Sequence, residues 1–298
     1  MRWGDMRRSE NIEDRGSGGF PMGGGGMRVG LGGIVIALIA SVLFGVNPLD
    51  ILSGMEGAAP APEPRTAPSG QQPPQTSAPQ TSAQSSNPAK EIVARVGGDT
   101  EDVWQVLFKQ LGRSGYPAPT LVMFSGSVRS ACGMASAAVG PFYCPADGKV
   151  YLDTAFFAQL ERRFGAPGDF AQAYVVAHEI GHHVQNVLGT MRQFDAQASR
   201  LDERRRNQMQ VRLELQADCY AGVWAHFAQR RNLLEPGDVE EGLRAAAAVG
   251  DDQIMKRTQG YVVPDAFTHG SAEQRVRWFR RGMQSGDPRQ CDTFASDV

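Results

Sequence analysis

The segment HEIGHH at positions 178–183 contains the residue types that bind and use a divalent metal ion. His178 and His182 are one helical turn apart, so on a helix their imidazoles project from the same face and can bind one zinc ion. Glu179 follows the first histidine directly and is offset around the helix, where it can serve as a general base toward a water molecule. The alternative interpretation is a packing helix whose buried histidines find ordinary polar partners.

A catalytic zinc site needs a third protein ligand and one open position. The extended histidine-rich form of the motif is excluded, because Gln185 and Leu188 stand where it requires Gly and His. The segment LELQADCYAG instead offers Glu214 as the third ligand of a two-histidine, one-glutamate site. Asp218, one turn later, can accept the outer N–H of a ligand histidine and fix its tautomer. A surface pair of carboxylates is the alternative for this segment.

Two further polar residues lie in the segment THGSAEQR near the end of the chain. His269 could donate a hydrogen bond to an oxyanion that develops during acyl transfer, and Arg275 is a second candidate for that role. The alternative for His269 is a polar residue at a helix entry. We interpret His183 and His226 as structural or supporting residues, since neither occupies a ligand position of the motif.

Helical spacing of apolar residues predicts that most of these candidates lie on helices. The predicted helices cover 99–111, 169–189, 204–230 and 236–259, and a last helix begins at Ser271. Asp169 is a predicted N-cap and Gly189 a predicted stop for the helix that carries HEIGHH. Ser271 and Gln274 form a capping-box pattern.

Two short segments, 120–124 and 149–152, have strand character, and Pro145 to Gly148 have the turn chemistry of a hairpin. We therefore expect an α+β fold, mostly helical, with a small antiparallel sheet. The strand from Val150 to Asp153 could hold an extended peptide by strand addition.

The run from Val29 to Val46 contains no charged residue and is long enough to cross a bilayer. We predict a single membrane helix over 29–48, after a flexible cytoplasmic tail over 1–28. Five arginines precede the run, and Arg65 is the first positive charge after it, so the N-terminus is predicted to be cytoplasmic. The protein would then be a single-pass inner-membrane protein with a periplasmic or extracellular domain. A cleaved signal peptide is the competing interpretation.

Residues 49–89 are rich in Pro, Ala, Ser, Gln and Thr, a composition that buries too little apolar surface to fold. We predict a disordered linker there and a folded domain over 90–298. The formal net charge of −2 gives no electrostatic reason to expect a nucleic-acid partner.

Four cysteines follow the membrane run, where an oxidising compartment permits disulfides. Four cysteines allow three pairings. Cys132 and Cys144 flank a short Gly/Ala-rich segment and are expected to close a local loop, which leaves Cys219 for Cys291. No CxxC spacing occurs, so a cysteine-ligated zinc site is disfavoured.

Four motifs together resemble the bacterial neutral zinc metallopeptidases, a family of HExxH zincins: MRWGDMRRSENIEDRG, HEIGHHVQN, ELQADCYAG and THGSAEQRVRWFRRG. The resemblance implies a zincin-like, gluzincin-type fold, one membrane anchor and zinc dependence. It implies His178, His182 and Glu214 as ligands and Glu179 as the catalytic acid/base. The chain is similar, more distantly, to membrane-associated gluzincins, but it lacks their many transmembrane helices, so intramembrane processing is not implied.

The expected activity is zinc-dependent hydrolysis of peptide bonds, with Glu179 as general base and peptides or proteins as substrates. An endopeptidase is expected. The alternative is a membrane-tethered binding or scaffold module with a structural zinc ion. Glu179 discriminates between them, because a structural site does not need a glutamate at that position.

Overall fold

The computed structural model describes residues 1–17, 87–136 and 139–298. These residues form a small sheet region and a larger helical region. In chain order, the strands and α-helices are β1 (Ile12–Ser17), α1 (Pro88–Gln110), β2 (Thr120–Ser125), β3 (Ser127–Ser130), β4 (Gly133–Ser136), β5 (Phe142–Cys144), β6 (Lys149–Asp153), α2 (Thr154–Arg162), α3 (Asp169–Leu188), α4 (Thr190–Ala198), α5 (Glu203–Arg230), α6 (Asp238–Ala248), α7 (Asp251–Thr258) and α8 (Ala272–Ser285). The predicted α+β class with mostly helical content is confirmed for this part of the chain.

The main sheet has four strands in the order β1-β2-β6-β5. β1 and β6 both run parallel to β2, whereas β5 is antiparallel to β6. The predicted hairpin between β5 and β6 is therefore confirmed, but the prediction of a wholly antiparallel main sheet is wrong. The long connection between β2 and β6 lets these strands run in the same direction, which a tight hairpin turn would not. A second, two-stranded antiparallel sheet pairs β3 with β4.

Side chains alternate across β2, as expected for a strand buried on both faces. Leu121 and Met123 belong to the large core under the helices, while Val122 and Phe124 belong to a smaller cluster on the opposite face. The sheet thus separates two apolar clusters of unequal size. The helices that carry the candidate site residues all pack on the side of the larger cluster.

Helix α3 passes through the larger core and is buried along most of its length. Gly189 follows it with a φ of 88°, a left-handed conformation that favours glycine, so the predicted stop is confirmed. The N-cap prediction is wrong by one residue: Gly168 is the N-cap, and Asp169 is the first helical residue. The Asp169 carboxylate instead accepts a hydrogen bond of 2.8 Å from the amino group of Met1.

The segment predicted as one helix over 236–259 forms two helices, α6 and α7. The break lies at Gly250, where the start of α8 comes close: a Cβ atom on Gly250 would lie 2.4 Å from the backbone nitrogen of Ala272. The predicted capping box at the start of α8 is confirmed by both of its hydrogen bonds, between Ser271 and Gln274.

Helices α5 and α8 pack with their backbones close together at two glycines. A Cβ atom on Gly222 would lie 2.0 Å from the Phe279 carbonyl oxygen, and one on Gly282 would lie 1.9 Å from the Cys219 carbonyl oxygen. The disulfide from Cys219 to Cys291 closes the same region, and Cys132 pairs with Cys144. Both disulfides match the favoured pairing.

Residues 1–17 are packed against the domain, which corrects the expectation of a flexible tail over 1–28 for this portion. Met1 and Met6 belong to the core, and β1 extends the sheet along β2. The backbone nitrogen of Ser9 donates to the carbonyl of Ala94 at 2.9 Å, and the Arg7 guanidinium contacts Glu101 at 2.7 Å. Residues 1–17 are thus held to the domain by strand pairing, apolar burial and ion pairs.

The predicted membrane helix over 29–48 and all but the end of the linker over 49–89 lie outside the described residues, so both stay predictions. Among the residues that the structure describes, no helix is long and apolar enough to span a bilayer. One crossing by residues 29–48 would put residues 1–17 and the domain on opposite sides of a membrane, whereas the structure packs them together.

The packing of residues 1–17 against α1 predicts the effect of Gly98→Ala. Within a helix this change ordinarily stabilises by about 1 kcal/mol, but a Cβ atom on Gly98 would lie 2.3 Å from the Arg7 carbonyl oxygen. We expect the free energy of unfolding to fall by about 1–3 kcal/mol, and trypsin cleavage after Arg7 and Arg8 to accelerate. Denaturant unfolding and timed proteolysis measure both. The control is Gly4→Ala, whose Cβ atom meets nothing within 4 Å; equal or higher stability of Gly98→Ala would contradict the packing.

Candidate metal centre

The two histidines of the motif lie side by side on α3, facing a cleft. Their ring centroids are 4.8 Å apart, and both side chains are buried. The helix holds them there because Phe170 and Ile180 anchor its other faces in the core. The predicted one-turn spacing thus places both imidazoles on the same side of the helix.

Glu214 on α5 reaches both imidazoles. Its Oε2 atom lies 3.3 Å from His178 Nε2 and 3.5 Å from His182 Nε2. Tetrahedral zinc bonds of about 2.0–2.1 Å would set ligand atoms about 3.4 Å apart, so this donor set fits zinc. Gln210 donates to the other carboxylate oxygen at 3.1 Å. Burial disfavours the ionised form of Glu214. The attraction of His182 and His178 is stronger than this effect and holds the pKa of Glu214 well below its usual value.

A glycine of the motif permits the short distance between the two helices. A Cβ atom on Gly181 would lie 2.9 Å from the Ala217 carbonyl oxygen on α5. That separation is below ordinary carbon–oxygen contact, so a larger residue would push the helices apart. Gly181 therefore allows Glu214 to come within reach of both histidines.

Glu179 also lines the cleft and is buried. Burial raises the pKa of its carboxyl, while the neighbouring imidazoles of His178 and His182 act in the opposite direction. A raised pKa brings a glutamate closer to the range in which it can both accept and return a proton.

Asp218 forms the centre of a fully buried polar cluster behind His178. Its Oδ1 atom lies 2.9 Å from His178 Nδ1 and accepts from the Tyr174 hydroxyl at 2.5 Å, while Arg275 Nε donates to Oδ2 at 2.8 Å. Burial opposes the ionised carboxylate, but Arg275 and His178 lower the pKa of Asp218 below its usual value. Burial lowers the pKa of His178, but Asp218 and Glu214 outweigh it and raise the pKa to about 9. With a metal ion bound, the acceptor on Nδ1 would keep the ring proton there and leave Nε2 as the ligand atom, which is the role predicted for Asp218.

Arg275 is thereby committed to that cluster. Its Nε and Nη2 atoms donate to Asp218, and Nη1 donates to the Val249 carbonyl oxygen at 3.2 Å. Burial of an unpaired guanidinium would be costly, and these bonds compensate for it. The predicted role of Arg275 toward an oxyanion thus competes with its existing hydrogen bonds, whereas the hydrogen bonds of the His269 ring are made by Nδ1.

His269 lines the same cleft and is held by Asp251, the first residue of α7. Its Nδ1 atom lies 3.1 Å from Asp251 Oδ1, and Asp251 Oδ2 accepts from the backbone nitrogens of Thr268, His269 and Gly270. Burial works against the charged imidazole, but Asp251 and Glu214 raise the pKa of His269. This arrangement orients Nε2 of His269 away from Asp251. Sequence patterns do not indicate this role for Asp251, because they predict an interior position in one long helix there.

The cleft has a volume of about 310 Å³ and mostly apolar walls. One wall comes from the segment before and along β5, including Val139 and Phe142, and another from Met191 and Phe194 on α4. The predicted peptide-holding strand from Val150 to Asp153 is blocked along its first half, because Val150 and Tyr151 are paired on both sides, with β2 and with β5. Leu152 and Asp153 pair with β2 and extend past β5. The outer edge of β5 is the edge of the main sheet nearest the cleft.

The remaining two histidines have structural partners, in line with their interpretation. His183 Nε2 lies 2.6 Å from the Pro117 carbonyl oxygen, and burial lowers its pKa. His226 Nδ1 lies 2.8 Å from the Met283 carbonyl oxygen. Neither residue lines the cleft.

Comparison with known proteins bears on the same residues. The sequence profile of the family described as "Putative neutral zinc metallopeptidase" matches residues 1–294. The Escherichia coli K12 protein named "Uncharacterized protein YpfJ" is 43% identical over 308 residues, covering 100% of both chains. "Uncharacterized protein Rv2575" of Mycobacterium tuberculosis H37Rv is 47% identical over 217 residues, which cover 68% of this chain and 70% of that protein.

No solved structure matches the chain. The profile match nevertheless spans nearly all of the sequence, including residues 1–17 and the segments that carry His178, His182 and Glu214. The chain belongs to the family that carries this description.

Proposed function

We propose that this protein is a zinc-dependent endopeptidase whose metal ion is held by His178, His182 and Glu214. The observation that carries the proposal is the convergence of two imidazole nitrogens and one carboxylate oxygen, all within 4.8 Å of one another, in a cleft that also contains Glu179. Zinc bound there would supply a Lewis acid that polarises a carbonyl group and makes water more acidic.

Glu179 acts as general base in this proposal. It takes the proton of the attacking water and then delivers it to the amine of the departing peptide product. Its burial supports this role, because desolvation raises the pKa of the carboxyl and so favours a group that can hold the proton between the two steps. A purely structural zinc site would not need a buried carboxylic acid beside its ligands.

His269 is proposed to donate a hydrogen bond from Nε2 to the oxygen that becomes negatively charged during the reaction. The Asp251 carboxylate supports the role in two ways: it accepts from Nδ1 and it fixes the backbone of residues 268–270. A donor fixed before the reaction costs no reorganisation when charge develops.

Peptides and proteins are the proposed substrates. β5 is the last strand of the main sheet and lies beside the cleft, where an extended peptide could add as a further strand. The apolar walls of the cleft favour apolar substrate side chains. The two disulfides support action outside the cytoplasm, since such bonds persist in oxidising compartments.

Replacing Glu179 by Gln separates metal binding from chemistry. Glu179→Gln should retain one zinc per chain while hydrolysis of casein or a peptide library falls by about 10²–10⁴-fold. His178→Ala should lose both zinc and activity. Metal analysis and the cleavage assay, with and without chelator, measure the two properties. Glu161→Gln, an exposed position on α2, is the control; full activity of Glu179→Gln would exclude the proposed base.

Replacing His269 should affect turnover rather than binding. We expect His269→Ala to lower kcat by about 10²–10³-fold, with KM and zinc content close to those of the wild type. His269→Gln, which keeps a donor group, should retain more activity than the alanine variant. Steady-state kinetics on a cleaved peptide decide the matter. A kcat within threefold of wild type for His269→Ala would remove this residue from the reaction.

Gly181→Ala tests the helix approach that brings the ligands together. The added methyl group must displace the α5 backbone at Ala217, so Glu214 should lose its reach to the histidines. We expect zinc affinity to fall at least about tenfold, the lower end of the effect of disturbing ligand support. Competition with a chromogenic chelator measures it. Gly115→Ala, with its nearest contact at 3.8 Å, is the control; unchanged zinc affinity in Gly181→Ala would contradict the geometry.

A further inference from the structure

Gln185 is fully buried one turn after His182 on α3, and it faces the metal centre from behind. Its Oε1 atom lies 2.9 Å from His182 Nδ1, and its Nε2 atom donates to the Leu213 carbonyl oxygen at 2.6 Å. The orientation of this amide follows from its partners. A carbonyl oxygen can only accept, so the NH₂ group must face Leu213 and the oxygen must face the imidazole.

That orientation fixes the tautomer of His182. An amide oxygen accepts but does not donate, so the imidazole proton must be on Nδ1. When zinc is bound, Nε2 would then be the unprotonated nitrogen, and it lies 3.5 Å from Glu214 Oε2. Asp218 does the same for His178, so each ligand histidine has its own acceptor.

Gln185 also contacts the helix that carries the third ligand, because Leu213 directly precedes Glu214 in α5. Its Nε2 atom lies 3.1 Å from Gln216 Oε1, and Gln216 Nε2 donates in turn to the Cys291 carbonyl oxygen at 2.9 Å. Cys291 is covalently tied to α5 through Cys219. A chain of hydrogen bonds therefore runs from His182 through both glutamines to a disulfide-anchored segment.

We propose that Gln185 is the positioning residue for His182 and for the turn of α5 that carries Glu214, and that Gln216 holds Gln185 in place from the Cys291 carbonyl. The inference rests on the metal site of the proposed function. It assigns no contact with substrate to either glutamine. Its consequence is that zinc affinity depends on two side chains that touch no metal.

The test is zinc titration of the full-length protein against a competing chelator, in wild type, Gln185→Leu and Gln185→Glu. Loss of the acceptor in Gln185→Leu should weaken zinc binding about 10–100-fold. Gln185→Glu loses the donor to the Leu213 carbonyl but keeps an acceptor for His182 Nδ1, whereas Gln185→Leu loses both, so the glutamate variant should bind zinc more tightly. A packing role predicts the reverse order, because leucine fills the buried space while glutamate adds a buried charge.

Gln172→Glu is the matched control, since it adds the same charge to the same helix away from His182. It should leave zinc affinity within threefold of wild type. If Gln185→Leu binds zinc as tightly as wild type, or at least as tightly as Gln185→Glu, the positioning role is wrong.

A second pair of variants keeps the proposal testable even where the glutamate is not tolerated. Gln216→Leu removes the anchor of Gln185 and should weaken zinc binding by a smaller factor than Gln185→Leu. The double variant should bind zinc no more weakly than Gln185→Leu alone, because both changes act through one chain of bonds. Additive losses would overturn the connection. Zinc titration needs no substrate, so failure to cleave peptides would defeat the proposed function and leave this test intact.

Discussion

The close packing of α3 against α5 is the constraint on which the metal centre depends. It brings a glutamate oxygen within 3.3 and 3.5 Å of two imidazole nitrogens, and it is possible because Gly181 has no side chain to separate the backbones. Placing a carboxylate and two imidazoles in a buried location is costly without compensation. Here the compensation comes from their mutual proximity and from partners on the outer side of each group.

Those partners form distinct supports around one centre. Asp218, with Arg275 and Tyr174, holds His178; Gln185 holds His182; Gln210 holds Glu214. Arg275 belongs to α8, so the last helix of the chain contributes directly to the orientation of a residue on α3. The close approach of α8 to α5 at Gly222 and Gly282, together with the Cys219–Cys291 disulfide, fixes the position from which Arg275 acts. The tail of the chain is thus part of the metal centre's framework.

Local patterns predicted local features well. The one-turn spacing of His178 and His182, the stop at Gly189 and the capping box at Ser271 depend on residues close in sequence, and the structure contains all three. Glu214 was found because a zinc site needs a third ligand and few carboxylates lie on apolar helix faces. The features that were missed depend on distant contacts. Asp251 can contact His269 only because the helical segment is broken at Gly250 into α6 and α7.

The sheet also depends on contacts between residues that are distant in sequence. Nothing near Ile12 indicates that it pairs with Leu121, more than a hundred residues later, so the first residues were interpreted from their neighbours as a flexible tail. The parallel pairing of β2 with β6 is also non-local, and together with the β5–β6 pairing it places β6 inside the sheet and β5 at its edge.

Diffraction at the zinc absorption edge from crystals of the zinc-loaded protein tests the central claim most directly. The account predicts one anomalous peak at about 2.0–2.2 Å from His178 Nε2, His182 Nε2 and a Glu214 carboxylate oxygen. A zinc ion bound elsewhere, or one at this place that leaves out any of these three side chains, would contradict it.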